Sequence, residues 1–283
     1  MNFFDFYAGI GGFRLGLEMA GHECVGHCEI DKYAHMSYMA MHRPKETEVY
    51  IEDIRTAKPR DIPDCDIYCG GFPCQAFSIA GRRRGFEDTR GTLFFEIMRI
   101  ARERKPRLIF LENVKGLLNH EGGDTFETII TTMAELGYGV EWQVLNSKYF
   151  GVPQNRERVF IVGHLGGVGK QSIFPIIGKK DTTDLLQIAE YNTKRKNSNN
   201  YRLYSDKGIA PTIHASCGGA ATPLVLHNNN IRRITPRECF RLQGFPDDYY
   251  ERAAAVNSNS QLYKQAGNSV TVNVIYEIAR RLK

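Results

Sequence analysis

Asp5-Phe6-Tyr7-Ala8-Gly9-Ile10-Gly11-Gly12-Phe13 is an apolar run that gives way to closely spaced glycines and then to an amphipathic segment. The pattern predicts a strand, a tight turn and a helix, because glycine tolerates positive φ and lets a ligand come close to the backbone. A helix starting there offers unpaired N–H groups to a polar ligand. A dinucleotide site places an acidic residue roughly 20 positions further on to hold ribose hydroxyls. Glu29 stands at that distance, with Asp31 beside it. The motif fits any nucleoside-bearing cofactor, and an NAD-linked oxidoreductase remains open at this point.

Outward from that stretch the same rhythm repeats. Residues 3–7, 24–28, 66–69, 108–111, 140–145 and 159–162 read as strands, and 13–20, 33–42, 93–104 and 125–136 as helices between them. Such alternation predicts an α/β fold with a mostly parallel sheet, helices on both faces and chemistry at the carboxyl ends of the strands. Beyond about His164 the rhythm fades into glycine-, asparagine- and lysine-rich sequence. We therefore expect two domains: residues 1–165, completed by 262–283, and a smaller unit at 166–261. Thr235-Pro236-Arg237-Glu238 reads as a capped helix start.

Composition narrows the classes. With 283 residues, 42% apolar and 24% charged, the chain can bury a sizeable core, and disorder is not the default. No run approaches the roughly 18 apolar residues of a membrane span, and the first residues lack the basic start of a secretion signal. We expect a cytoplasmic, nucleoid-associated protein with no membrane partner. Seven cysteines, an odd number, argue for reduced thiols over a disulfide framework. The net charge of +5 says little by itself. Its basic clusters, Arg82-Arg83-Arg84, Arg156 with Arg158, Lys194-Arg195-Lys196 and Arg232-Arg233, lie outside the apolar runs, where they can meet phosphates.

Three segments carry candidate chemistry. Gly70-Gly71-Phe72-Pro73-Cys74-Gln75-Ala76-Phe77-Ser78 mounts a cysteine where a strand yields to a loop, with its backbone set by the proline. Cys74 is thus a candidate nucleophile, although a free cysteine is as often a small buried hydrophobe. Glu112 ends the apolar run 108–111, where desolvation would raise its pKa and keep it protonated as a hydrogen-bond donor; a helix-capping glutamate is the alternative. Arg156 and Arg158 precede a strand and can reach a polar ligand in the same cleft. Other patterns carry less. Cys24/Cys28 and Cys65/Cys69 lie on or beside strands rather than in zinc knuckles, and Gly166-Gly167-Val168-Gly169-Lys170 lacks the first glycine of a phosphate loop. No metal is expected.

In this order the segments resemble the DNA cytosine-5 methyltransferases of the compact bacterial and phage type. The resemblance rests on Gly71 to Ser78, Gly85 to Gly91, Glu112-Asn113-Val114, Gln154-x-Arg156-x-Arg158, Arg237 to Pro246 and Gln265-x-Gly267-Asn268-Ser269-Val270. It implies a Rossmann-like S-adenosylmethionine-dependent domain with a second, smaller target-recognition domain. It also implies methyl transfer to C5 of a cytosine flipped out of a specific duplex, through a Cys74–C6 adduct, with S-adenosylhomocysteine as product. By resemblance Glu112 would face N3 and Arg158 the cytosine O2, with Arg156 close by. The donor would contact Phe6, Tyr7, Gly9, Gly11, Glu29, Asp53, Pro73, Asn268, Ser269 and Val270. DNA would meet Gln75, Ser78, Arg82, Arg83, Arg84, Arg232 and Arg233. Phe6-Tyr7 departs from the family's commoner Leu-Phe after the aspartate. The expected partner is double-stranded DNA, with a cognate restriction endonuclease acting separately on a monomeric methyltransferase. A tRNA methyltransferase of the same fold is a rival, but its Pro-Pro-Cys and Cys-Phe-Thr motifs are missing. A second catalytic cysteine at Cys69 and a catalytically dead DNA-binding regulator are the remaining alternatives.

Overall fold

A computed structural model describes residues 1–73, 93–167, 172–179, 184–190, 202–215 and 222–283. Cys74, Gln75, Ser78, Arg82, Arg83 and Arg84 lie outside the described residues. Strand β1 (Asn2–Phe6) leads through the glycine turn into helix α1 (Gly12–Met19), then β2 (Glu23–Cys28), α2 (Lys32–His42), β3 (Val49–Ile51) and β4 (Ile67–Gly71). After α3 (Leu93–Arg104) come β5 (Leu108–Val114), α4 (Asp124–Glu135), β6 (Tyr138–Asn146) and β7 (Glu157–Leu165). These seven strands form one sheet in the order β3-β2-β1-β4-β5-β7-β6. Pairing is parallel from β3 to β5 and antiparallel where β7 meets β5 and β6. The mostly parallel sheet expected from sequence thus ends in an antiparallel edge. The link between β6 and β7, residues 147–156, holds only a short 3-10 turn, which returns the chain alongside itself where a parallel crossover needs a longer connection.

Side chains alternate across the strands, so the two faces bury different sets. Phe4, Phe6, Tyr68, Ile109 and Leu111 pack under Phe94, Ile97 and Met98 of α3 and Ile129 and Met133 of α4. Phe3, Ile67, Leu108, Phe110 and Phe160 pack under Phe13 and Leu17 of α1 and under Val274, Ile275 and Ile278 of α8 (Val272–Ala279). The C-terminal segment therefore packs against the large sheet. Cys24, Cys28 and Cys69 are buried among these side chains. Burial pushes the thiols of Cys24 and Cys28 up to about 12, and that of Cys69 well above its usual range, so they remain protonated and behave as small hydrophobes. That environment argues against Cys69 as a second nucleophile.

The elements within 166–261 fall into separate groups. Strands β8 (Gln187–Glu190), β9 (Arg202–Ser205), β10 (Leu224–His227) and β11 (Asn230–Arg233) form a separate four-stranded sheet. Ile173 and Ile176 instead join the α1 face of the large sheet. Helices α5 (Pro236–Leu242), α6 (Asp247–Ala254) and α7 (Asn259–Asn268) share a third cluster with Ile10, Leu15 and Met41. Phe240, Phe245 and Leu262 supply its bulk, and an apolar surface of that size must be covered by the large domain. The start of α5 matches expectation: Thr235 accepts from Glu238 N, and the Glu238 side chain accepts from Thr235 N.

The return of α8 depends on a close helix crossing. A Cβ built on Gly16 would lie 2.6 Å from Ile275 Cβ, far inside van der Waals contact. Leucine is the better helix former, so Gly16→Leu would stabilise an isolated α1. In the intact protein we expect it to lower stability by roughly 1–3 kcal/mol through overpacking against α8. Urea unfolding measures this, and an unchanged or higher midpoint would refute the crossing.

Candidate active site

The strand order reverses beside β1, with β2 and β3 on one side and β4 and β5 on the other, and a ligand crevice opens at the carboxyl ends of strands at such a point. A cavity of about 330 Å³ occupies that place. The chain turns out of β1 through left-handed residues, with φ of 54° at Tyr7, 55° at Gly9 and 77° at Gly11. The turn is held by hydrogen bonds from Ala8 N to Cys28 O (3.0 Å) and from Gly11 N to Ala8 O (2.7 Å). Glu29, just past β2, accepts from Gly9 N at 2.7 Å through one oxygen and from Asp31 N at 2.7 Å through the other. Burial raises the Glu29 carboxyl above its usual pKa, and the two N–H groups oppose that shift. Asp31 caps α2 by accepting from Tyr33 N and Ala34 N, and its other oxygen takes Lys264 Nζ at 2.6 Å.

On the opposite wall, Gly71, Phe72 and Pro73 leave β4 while Glu112 and Asn113 sit near the end of β5. Asn113 Nδ2 donates to Phe72 O at 2.8 Å, joining the two strand exits just before Cys74 in the sequence. Glu112 is 9% exposed, and Arg158 Nε stands 3.0 Å from its Oε1. Among the described residues that oxygen nevertheless has no aligned hydrogen-bond donor. Burial raises the Glu112 carboxyl above the ordinary range, and the charges of Arg158 and Arg156 pull it back. The site therefore favours a carboxyl that holds its proton longer than a solvated one.

Gln154, Arg156 and Arg158 alternate with the exposed Asn155 and Glu157, which turns all three inward. Their roles differ. Arg156 is buried and donates to the carbonyls of Ile213 (2.9 Å), Gly267 (3.2 Å) and Ser269 (2.7 Å). Gln154 donates to Leu242 O and accepts from Ile213 N. Arg158 keeps its guanidinium beside Glu112 at the cavity.

Of the residues expected from sequence, Tyr7, Gly9, Glu29, Pro73, Glu112, Arg156, Arg158 and Asn268 line this one cavity. Phe6, Gly11, Asp53, Ser269 and Val270 are not among its lining residues. Phe6 turns the other way, into the core, with its ring 5.1 Å from Tyr68. Gly11 is packed under His42, whose Nε2 would lie 2.1 Å from an added Cβ. Asp53 follows β3 and is engaged by Arg55 through Nε and Nη2. Ser269 and Val270 are buried. Arg232 and Arg233 lie on the exposed strand β11, where Arg232 pairs with Glu238 at 2.7 Å. Asp31, Asn113, Lys264 and Gln265 also line the cavity, although sequence reasoning gave them no role. Asn113 adjoins Glu112 and Asp31 lies two positions past Glu29, while Lys264 and Gln265 precede Asn268 by about one helical turn on α7, and that spacing was the available signal.

The model of the C-5 cytosine-specific DNA methylase family matches residues 1–209 and 168–283. Among curated proteins, Type II methyltransferase M.HhaI of Haemophilus parahaemolyticus is 41% identical over 99% of this chain and 93% of its own length. M.HpaII of Haemophilus parainfluenzae is 38% identical over 99% of this chain and 88% of its own. The structure of S. pombe Dnmt2 methyltransferase superposes with a TM-score of 0.76 at 21% identity, covering 99% of this chain and 97% of that one, which shows a shared fold. The chain belongs to the C-5 cytosine-specific DNA methylases and is a bacterial-type DNA (cytosine-5-)-methyltransferase.

Proposed function

We propose that this methyltransferase modifies C5 of a cytosine flipped out of a specific duplex sequence, with Cys74 as nucleophile and S-adenosylmethionine as donor. The observation that carries this reading is Glu112, buried at the cavity with Arg158 at 3.0 Å and with one oxygen that has no aligned donor among the described residues. The residues of the other half fit the donor: the Glu29 carboxylate suits ribose hydroxyls, and Ile10, Ala34 and Pro73 give apolar walls. When bound, S-adenosylmethionine supplies an electrophilic methyl group. Phe6, Gly11, Asp53, Ser269 and Val270 would then act at or behind the edge of that site.

Cytosine C5 is a weak nucleophile until a thiolate adds at C6. As the Cys74 Sγ–C6 bond forms, the ring electrons shift toward N3, and Glu112 gives N3 its proton. Arg158 holds O2 and stabilises the charge that develops there. C5 would then accept the donor's methyl group with release of S-adenosylhomocysteine, and N3 returns its proton to Glu112. The C5 proton leaves to solvent water, the C5–C6 double bond re-forms and Cys74 departs as thiolate. Arg156 serves as a positioning residue, since both its Nη1 and its Nη2 are engaged by backbone carbonyls. Flipping costs roughly a few kcal/mol, offset by contacts to the extruded nucleotide and its phosphates, for which Gln75, Ser78, Arg82, Arg83 and Arg84 are candidates. The β8–β11 sheet, with Arg232 and Arg233 exposed, is our candidate for reading bases. The Type II names of the relatives support a role in marking DNA against a separate restriction endonuclease.

Labelled S-adenosylmethionine should deliver methyl groups to duplex DNA and not to tRNA, and Cys74→Ala should abolish transfer. Uptake into tRNA alone would overturn the substrate. Bisulfite sequencing of DNA from expressing cells identifies the target. A duplex carrying 5-fluorocytosine at that target should become covalently linked to the enzyme in the presence of donor, because fluorine cannot leave as the proton does; an uncrosslinked protein refutes the adduct.

Glu112 must be protonated to act, and its raised pKa keeps it so above the ordinary carboxylate range. Its contribution should decline as pH rises through that raised value. Glu112→Gln should lower kcat by about 10²-fold or more and erase this alkaline decline. A Gln variant with the wild-type pH profile would remove Glu112 from the proton transfer.

A further inference from the structure

The donor half of the cavity is built from two stretches far apart in the chain: residues 29–34, which leave β2 and begin α2, and residues 264–268, which end α7. An ion pair joins them. Lys264 Nζ stands 2.6 Å from Asp31 Oδ2 across 233 positions of sequence, and both residues line the cavity. Asp31 Oδ1 is engaged on its own helix by Tyr33 N and Ala34 N, while the Asp31 N–H donates to Glu29 Oε1 at 2.7 Å. Asp31 therefore stands between Lys264 and the carboxylate that suits the donor's ribose. Burial raises the Glu29 carboxyl, and the nearby Asp31 charge adds to that rise. Burial also opposes ionisation of Asp31, yet Lys264 and the N–H groups of α2 hold its carboxyl below the usual range. Spacing of the two helices is set separately: Gln265 Nε2 donates to Tyr33 O at 2.9 Å, and Gln265 Oε1 accepts from Ser37 Oγ at 2.8 Å. The side chains of Lys264 and Asp31 are 47% and 29% exposed, and so exposed a pair contributes little to global stability.

We propose that Lys264 is a positioning residue for the methyl donor: by pairing with Asp31 it holds the Asp31 N–H against Glu29 and so fixes the Glu29 carboxylate where the ribose hydroxyls meet it. The inference rests on the methyltransferase reading above, in which Glu29 serves the donor. Lys264 acts through Asp31 and does not itself touch the donor. Without the ammonium group, the repulsion between the two carboxylates is uncompensated, Asp31 Oδ2 turns toward water and Glu29 loses part of its orientation. The loss falls on donor binding, because Glu112 and Arg158 belong to the opposite wall of the cavity.

Calorimetry with full-length protein and S-adenosylhomocysteine, in the absence of DNA, reads the effect directly. Lys264→Met should raise the Kd about fivefold with the melting temperature near wild type, whereas Lys264→Arg, which can still pair with Asp31, should stay within about twofold of wild type. In an Asp31→Asn background, where the side chain still caps α2 but carries no charge, Lys264→Met should change the Kd by less than about twofold. In methylation assays of Lys264→Met the KM for S-adenosylmethionine should rise with the Kd while kcat stays within about twofold, a division that a general loss of structure would not give. An unchanged Kd in Lys264→Met overturns the proposal. So does an equal loss in both backgrounds, because the ammonium group would then meet the donor itself, and so does a fall in kcat with KM unchanged. Failure of the underlying reading is distinguishable, since wild type would then neither bind S-adenosylhomocysteine in calorimetry nor methylate DNA.

Discussion

The parallel pairing of β1 with β4 is the constraint on which the rest of the molecule depends. It places Phe6 opposite Gly70, and the next pairing along places Gly71 opposite Glu112 on β5. The strand order reverses there, so the turn after β1 and the exit of β4 face one crevice from two sides. A one-residue slip in either pairing would exchange the two faces of a strand and move the side chains at its end out of the cavity. The buried, apolar character of both strands is what fixes the register.

Within that frame, three ionisable side chains are brought together away from water. Burying a carboxylate and two guanidinium groups is unfavourable unless each is paired or neutral. Arg156 donates through Nη1 and Nη2 to carbonyls from two distant segments, residues 213 and 267–269, and so ties the C-terminal helices to the start of β7. Arg158 and Glu112 are left facing each other with imperfect geometry. That arrangement is poor as a stabilising ion pair and suitable for a carboxyl that must hold and release a proton. A substrate can then complete its hydrogen bonding.

Most of the large domain was legible in the sequence. The short apolar runs and the amphipathic segments between them have periods that only strands and helices satisfy, and the two edges of the Gly9 turn follow from residue type alone. The antiparallel β7 was not legible, because an apolar run looks the same whichever way its neighbour points. The packing of α5 to α7 was not legible for a related reason: their apolar faces match Ile10, Leu15 and Met41, some 200 positions earlier. The thiols at Cys24, Cys28 and Cys69 could be identified as strand residues, yet only their burial showed why they stay inert.

For the site, the sequence by itself determined which residue types are present and in what local setting: a glycine turn, an acidic residue after the second strand, a glutamate ending an apolar strand, and arginines at alternate positions. Local spacing fixes which side of a strand a residue faces. Only the tertiary structure decided that Tyr7, Glu29, Pro73, Glu112, Arg158 and Asn268 share one cavity, that Arg156 spends its donors on backbone carbonyls, and that Phe6 turns into the core. Distances across a sheet depend on strand order and register, and those are set by packing between segments far apart in the chain, which no local pattern encodes.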